Sequence, residues 1–299
     1  MDLLKAMRTL VAVADTGGFS AAARTLGQSP PSVTREIAAL EERFGCKLLA
    51  RTTRQVRLTE AGARYLADAR RILAEVSEAE AAVAGVHGEL RGPITVTAPA
   101  AFGRLHVARR ITAFALRHPR IRFTTLFLDR MVNLVDEGVD VALRIAQLPD
   151  SSATAIRVGS VRQVLCAAPD YLDRVGPIRE PSDLQRVEGI YTAAFQGPWT
   201  LIQDGKPSLA KPPARFISNT IDGAHEAARA GIGIVRLLSY QVAGAIAEGS
   251  LVPLLQEFEP DPVPVHVVHL EGRNSPMRIR SFIDYLVEEL RQEPVLRND

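Results

Sequence analysis

The chain has 299 residues and a mass of 32.5 kDa, too long for one small core and suited to two or three domains. Its 46% hydrophobic and 23% charged content is that of a globular protein in water, and without an apolar run of about 18 uncharged residues a membrane span is not expected. The net charge of +2 names no partner by itself, and two cysteines, Cys46 and Cys166, cannot build a disulfide framework or a metal cage. The start of the chain, MDLLKAMRTLVAVADTGG, lacks a basic n-region and a cleavage-like end, so a cytoplasmic protein with reduced thiols is expected.

Leu3, Leu4, Met7, Leu10, Val11 and Ala14 recur at helical spacing and predict an amphipathic helix that stops at Gly17-Gly18. Ser20 is a candidate N-cap for a second helix running through Ala21, Ala22 and Ala23 to Leu26, and Gly27 supplies a tight turn. Ser29 is a candidate cap for a third helix. Pro30 and Pro31 are tolerated in its first turn because early helical N–H groups have no partner there. Val33, Ile37 and Leu40 mark its apolar face, and it ends near Gly45. This order predicts a helix-turn-helix, with Ser32, Thr34 and Arg35 on the outer side of the second helix near its N-terminal end. That end enters the major groove, where a hydroxyl serves either strand and an arginine reaches guanine. The competing reading pairs Arg35 with Glu36 or Glu42 on the surface.

Lys47–Arg51 and Gln55–Leu58 read as two short strands around Thr52-Thr53-Arg54. Lys47, Arg51, Arg54 and Arg57 place four positive charges within residues 47–57, with no acid among them. A basic hairpin beside a recognition helix is a wing, suited to the backbone or the minor groove. Only Phe19, Phe44 and Tyr65 are aromatic among residues 1–88, too few for a single-strand stacking platform, so duplex DNA is the expected partner.

The stretch from Phe19 to Gly62, FSAAARTLGQSPPSVTREIAALEERFGCKLLARTTRQVRLTEAG, closely resembles the LysR-type transcriptional regulators. The Ala run, the Ser/Thr-Arg pair, LE-x-x-x-G, LL-x-R and LTEAG carry the resemblance, and RTTR resembles the wing of a large subgroup. The resemblance implies a DNA-facing set of Ser20, Pro30, Pro31, Ser32, Thr34 and Arg35 on the helices, with Arg51, Thr53 and Arg54 on the wing gripping phosphates.

Thr59 can cap a long helix from Glu60 to about Gly88. Leu66 and Leu73 are seven apart, as are Ala69, Val76 and Val83, a seam of roughly three heptads that Glu80 weakens. Self-association is the favoured use of this seam, packing within the chain the competing one. In the resembled family this helix sets the dimer, so a homo-oligomer, dimer or tetramer, is implied, with two recognition helices reading an interrupted palindrome.

Beyond Gly92-Pro93 strands and helices alternate. The predicted elements are a strand at Ile94–Ala98, a helix over about Arg104–Arg117 broken by His118-Pro119, and a strand at Ile121–Leu128. A helix through Leu134-Val135 and a strand at Val139–Ile145 follow. Further strands are expected at Val161–Ala168, Arg215–Ser218, Ile232–Val235 and Val263–Leu270, with a last helix at Pro276–Arg291. The pattern predicts an α/β domain with a largely parallel sheet. The order, with DRMVNLVDEGVDVALRI, CAAPDYL and AHEAARAGIGIV, resembles the family's two-lobed effector domain, which has the periplasmic-binding-protein fold. The expected division is a winged helix-turn-helix at 1–58, a linker helix at 59–88 and an effector domain at 89–299. Lobe I would span about 92–160 and 269–299, and lobe II about 161–268.

Open α/β sheets bind ligands beyond the carboxyl ends of their strands, here in the cleft between lobes. Pro99, Ala100, Ala101 and Phe102 follow the first strand at a helix N-terminus whose free N–H groups suit an anionic small-molecule effector. Many relatives carry Ser or Thr where Pro99-Ala100-Ala101 stands. Ser218, Asn219 and Thr220 sit at another strand-to-helix junction, and Phe127 and Arg144 near further strand ends. The competing roles are scaffold: a helix cap for Asn219 or Thr220, an ion pair for Arg144.

No catalytic constellation is present: the histidines show no HExxH spacing, there is no GxSxG elbow or Walker A motif, and Gly231-Ile232-Gly233 is a truncated GxGxxG. No metal or cofactor is expected. Cys46 and Cys166 read as small core residues, with a redox-sensing thiol at Cys166 as the competing use. A ligand-responsive regulator is the expectation, with RNA polymerase a further partner; a small-molecule binding or transport protein is the alternative, and an enzyme a distant third.

Overall fold

Asp2 accepts a hydrogen bond from the Lys5 amide (3.1 Å) and so opens α1 (Leu3–Thr16), whose buried stripe is Ala6, Met7, Leu10 and Val13. In this computed structural model, which describes residues 1–51, 56–83, 89–148, 153–193, 195–270 and 275–297, the chain divides into two units. The first comprises residues 1–93 with 118–122 and 276–278. In it α1 is followed by α2 (Phe19–Leu26), α3 (Pro30–Phe44), the antiparallel pair β1 (Leu49–Arg51) and β2 (Val56–Leu58), and α4 (Glu60–Val83). Leu10, Val13, Ala22, Val33, Ile37, Leu40 and Leu48 form one buried core, the helix-turn-helix and wing expected from the sequence. Ser20 is not the cap of α2: Gly18 holds that position, and Ser20 lies exposed in the first turn. Phe19 packs against the core and draws the helix start back to itself.

The wing is fixed to α3 by a buried carboxylate. Glu41, 7% exposed, accepts the amides of Leu48 (3.0 Å) and Leu49 (3.2 Å) on one oxygen and Lys47 Nζ (2.6 Å) on the other. Thr59 fixes the second junction. Its hydroxyl donates to the Lys47 carbonyl (2.7 Å) and accepts the Gly62 amide (2.9 Å), capping α4. Gly62 has to be glycine, since a Cβ there would stand 1.9 Å from the Leu48 carbonyl oxygen. These contacts explain LE-x-x-x-G and LTEAG as wing-holding chemistry.

The first turns of α4 belong to this core as well. Leu66 (6% exposed) and Ala69 (0%) are buried against their own chain and have no surface left for a dimer seam, which corrects the expectation for those two positions. They lie beside α1, whose apolar stripe needs cover and claims them before any partner can. Leu73 and Val76, further along, are half-buried. The side chain of Val83 lies outside the described residues.

The second unit holds two five-stranded sheets. One contains β3 (Gly92–Ala98), β4 (Ile121–Phe127), β5 (Val141–Ile145) and β6 (Thr154–Val161). The other contains β7 (Gln163–Ala167), β8 (Gly189–Thr192), β11 (Ala214–Ser218), β12 (Ile234–Leu238) and β13 (Val252–Leu254), and β9 (Trp199–Gln203) and β10 (Lys206–Ala210) form a separate hairpin. With β14 (Val263–His269), which returns to the first sheet, the orders are β4-β3-β5-β14-β6 and β11-β8-β12-β7-β13. Helical residues 100–117 comprise α5 (Ala100–Phe102), a π-helical stretch (Gly103–Val107) and α6 (Ala108–Arg117). Then come α7 (Pro169–Val175), α8 (Ile221–Arg229), α9 (Ser239–Ala247) and α10 (Met277–Arg291).

Both sheets are mixed, not largely parallel. β3–β5 and β11-β8-β12 pair parallel, whereas β7 and β14, which carry the chain from lobe to lobe and back, pair antiparallel with their neighbours. A strand entering a sheet from the other lobe runs against strands fed by local crossovers. The return precedes Val263, so β14 belongs to lobe I and not to lobe II up to 268. The helix expected at Leu134-Val135 is a turn: Asn133 Oδ1 accepts the Val135 amide (3.1 Å), a local bond that competes with helix formation.

Burial raises the Glu41 pKa, but the bonds from Lys47, Leu49 and Leu48 outweigh it and hold the carboxyl below the usual range. Its contribution to stability is therefore present above the ordinary carboxylate pKa and lost as pH falls through the lower folded value. Glu41→Leu is expected to destabilise the DNA-binding head by about 3 kcal/mol at neutral pH, with the deficit shrinking toward acid. Thermal denaturation of both proteins across pH measures this; a deficit independent of pH would contradict it.

Candidate functional site

At the front of α3 the Ser29 hydroxyl accepts the Ser32 amide (3.4 Å), and Pro30 and Pro31 occupy the first two helical positions, exposed. Ser32 and Thr34 are half-buried and Arg35 is exposed. Glu36, the nearest acid, is not Arg35's partner: it pairs with Lys5 Nζ (2.7 Å) and accepts the Thr9 hydroxyl (2.5 Å). Burial raises the Glu36 pKa, yet Lys5 and Thr9 hold it below the usual carboxylate range. Among the described residues Arg35 has no ion pair, so its guanidinium is free for an outside acceptor. Lys47 stands exposed beside the wing on Glu41. Of the expected wing residues, Thr53 and Arg54 lie outside the described residues, as does the side chain of Arg51, whose backbone ends β1.

In the second unit the lobes meet along residues 100–107. Arg104 pairs with Asp222 at the start of α8 (2.6 Å), and the Phe102 ring lies edge-on to Tyr240 of α9 at 5.2 Å. The expected free N–H groups at Pro99–Phe102 are partly taken: the Ala100 amide donates to Asp129 Oδ1 (2.9 Å). A carboxylate already sits at this helix terminus, and Ala101 and Phe102 are buried. The site is thereby turned away from an anion. Phe127 lies with its ring against Gly103. Arg144 donates to the Val132 carbonyl (2.8 Å), and among the described residues it pairs with no carboxylate. Thr220 caps α8 by accepting the Gly223 amide (3.2 Å), and Ser218 accepts the Thr220 amide (3.1 Å), so both serve as scaffold. Asn219 is exposed at the same junction.

Several buried ionisable groups escape sequence reading. Arg110 (5% exposed) donates to Glu293 (2.5 Å) and to the carbonyls of His106 (2.6 Å) and Glu289 (3.1 Å). Its only sequence signal is an arginine on the apolar side of an amphipathic helix. His106 lies 3.7 Å from Glu293, and burial, opposed by that carboxylate, holds its pKa below the usual value. Arg236, half-buried in β12, stacks on Phe195 at 4.8 Å. The strand expected at Ile232–Val235 stopped one residue short of it. Gly231-Ile232-Gly233 precedes β12 as packing, because a Cβ at Gly233 would be 2.5 Å from the Glu188 carbonyl oxygen. No group of three or more His, Cys, Asp or Glu suited to a metal occurs among the described residues.

A helix-turn-helix head whose Arg35 has no ion pair among the described residues, joined to a two-lobed α/β domain, defines a DNA-binding regulator with a sensing domain. Residues 4–63 match the family described as bacterial regulatory helix-turn-helix protein, lysR family, and residues 87–291 match the LysR substrate binding domain. The chain belongs to the LysR family of transcription regulators. It is 34% identical over 290 residues to the HTH-type transcriptional regulator CrgA of Neisseria meningitidis serogroup B, covering 95% of this chain and 96% of CrgA. A HTH-type transcriptional repressor of Pseudomonas aeruginosa is 32% identical over 308 residues, covering 99% and 95%. The solved structure of CrgA from Neisseria meningitidis superposes with a TM-score of 0.62 at 32% identity, over 96% of this chain and 98% of that one. Full-length AphB of Vibrio cholerae, at 23% identity, gives the same TM-score of 0.62 over 96% and 99% and supports the fold. The protein is a DNA-binding transcription regulator with a C-terminal effector-binding domain, of a family that is not enzymatic and whose members bind DNA and small-molecule effectors and form oligomers. No helix among the described residues is long and apolar enough to cross a membrane.

Burial pushes the Cys166 thiol up to about 12, which leaves almost no thiolate at neutral pH and removes the redox-sensor reading. A disulfide reagent at neutral pH is expected to titrate one thiol, the exposed Cys46, in the native protein and two after denaturation. Rapid native labelling of Cys166 would contradict this.

Proposed function

We propose that this regulator binds an interrupted palindrome in duplex DNA as a dimer of reading heads, within a dimer or homotetramer in the cytoplasm, and that a small molecule held between its lobes modulates it. The chain would divide functionally into residues 1–58, 59–88 and 89–299. The observation that carries the DNA reading is Arg35 at the exposed front of α3, without an ion pair among the described residues, while Glu36 beside it pairs with Lys5 and accepts the Thr9 hydroxyl. Arg35, Thr34 and Ser32 face bases; Ser20, Pro30 and Pro31 lie along the backbone; Arg51, Thr53 and Arg54 grip phosphates. Beyond Ala69, α4 offers Leu73, Val76 and Val83 to a second copy. In the cleft, Pro99–Phe102, Phe127, Arg144 and Ser218–Thr220 shape the effector site, with Asp129 favouring a ligand that brings a hydrogen-bond donor. RNA polymerase is the further partner of a regulator acting at a promoter.

Arg35→Ala is expected to weaken retardation of the promoter beside the protein's own gene about tenfold or more, the worth of one bidentate arginine–guanine contact. Equal retardation by variant and wild type would overturn the assignment. Leu73→Glu is expected to yield a smaller species by light scattering; an unchanged mass would remove α4 from the assembly.

A further inference from the structure

Among the described residues of 1–83, two polar side chains are buried: Glu41 at the wing and Thr9 on α1. Thr9 stands beside Ala6, Leu10 and Val13 on the buried side of α1, which shares a core with Val33, Ile37 and Leu40 of α3. Its hydroxyl donates across to α3, to Glu36 Oε2 (2.5 Å), with the Lys5 carbonyl 3.1 Å away as a second acceptor. The other oxygen, Glu36 Oε1, takes Lys5 Nζ (2.7 Å) and lies 3.5 Å from the Ser32 hydroxyl, one helical turn nearer the front of α3. The Glu36 side chain is only 14% exposed, so it faces α1 and not the outer side that carries Arg35.

Hydrophobic burial is non-directional, so Val33, Ile37 and Leu40 hold α3 against α1 without fixing its rotation as sharply as directed bonds do. A carboxylate taken out of water is costly unless it is bonded. The rotation of α3 at which Thr9 and Lys5 both reach Glu36 is therefore favoured over neighbouring ones that leave the carboxylate bare. The Ser29 cap at the front of α3 is long (3.4 Å), which leaves Glu36 as the firmest polar tie beside Ser32, Thr34 and Arg35 among the described residues.

We infer that Glu36 is a positioning residue for DNA recognition: held by Thr9 and Lys5, it sets the rotation of α3 and thereby aligns Ser32, Thr34 and Arg35 with the base edges. The inference rests on the reading of those three residues as base-facing. Misalignment costs the contacts that depend on base sequence, whereas attraction to phosphates depends on charge and is insensitive to it. Lys5 has a second part in this arrangement. A bare carboxylate beside Arg35 repels phosphates, and the Lys5 ammonium neutralises it.

The full-length protein is titrated with two duplexes of equal length, the promoter beside its own gene and a shuffled sequence, at one salt concentration. The quantity read is the ratio of the two affinities, in which the attraction to phosphates common to both cancels. Glu36→Met is expected to lower the ratio about tenfold, the loss that follows one misplaced base contact, with shuffled-duplex affinity at or above wild type. Thr9→Val, which keeps the shape and removes the hydroxyl, lowers the ratio several-fold. The double variant falls no further than Glu36→Met, because both substitutions act through one contact. Glu36→Gln, which keeps an oxygen for Thr9, lies nearest to wild type. Melting temperatures establish that each variant is folded at the assay temperature; should Glu36→Met not be, Thr9→Val alone decides. Arg35→Ala is the control. Loss of promoter binding in Arg35→Ala beside a wild-type ratio in Thr9→Val and Glu36→Met sinks this inference alone, whereas no effect of Arg35→Ala sinks the reading beneath it. A wild-type ratio in either folded variant, an equal loss on both duplexes, or additive losses in the double variant would each overturn the assignment.

Discussion

The reading head depends on the hydrogen bonds that Glu41 makes at the end of α3. A recognition helix and a wing can act on one stretch of DNA only if their relative geometry is fixed, and a hairpin of three-residue strands cannot fix itself. Glu41 supplies the constraint by accepting the first amides of the wing, and Thr59 and Gly62 close the junction from the other side. The carboxylate is tolerated in a buried place because each oxygen is satisfied and Lys47 neutralises it at the rim. With these bonds in place α3, which carries Arg35, and the two strands of the wing are held as one body.

The same rule, that a buried charge needs a partner, organises the sensing domain and marks its exception. Arg110 and Glu293 neutralise each other between α6 and the end of α10, and Arg110 also satisfies two carbonyls. Asp129 takes the amide at the start of α5, and Arg144 is held by a loop carbonyl. Each of these groups has a partner within the fold, although the buried Nε of Arg110 makes no hydrogen bond. Among the described residues Arg236 makes no ion pair and lies over the ring of Phe195, and one oxygen of Glu259 has no hydrogen-bond partner.

The long linker helix shows how one apolar repeat is covered unevenly along its length. Leu66 and Ala69 satisfy the heptad spacing as well as Leu73 and Val76 do, yet they are consumed by α1 of their own chain. A heptad pattern states that a helix needs cover along one stripe and is silent about who provides it. Here the cover changes along the helix length, from the head's own core to a surface beyond Ala69.

From the sequence alone came the family, the helix-turn-helix, the two short strands that follow it and part of the order of the α/β elements, with β6, β8 and β13 not foreseen. These are local matters: apolar spacing, caps, glycine turns and a long ordered set of motif residues within Phe19–Gly62. The tertiary structure decided the rest. It moved the cap of α2 from Ser20 to Gly18, made both sheets mixed, returned β14 to lobe I and turned Leu134-Val135 out of a helix. It also gave the Ala100 amide to Asp129, 29 positions away, and among the described residues left Arg236 without a carboxylate. Which charges meet depends on contacts between residues far apart in the chain, and no local pattern encodes them.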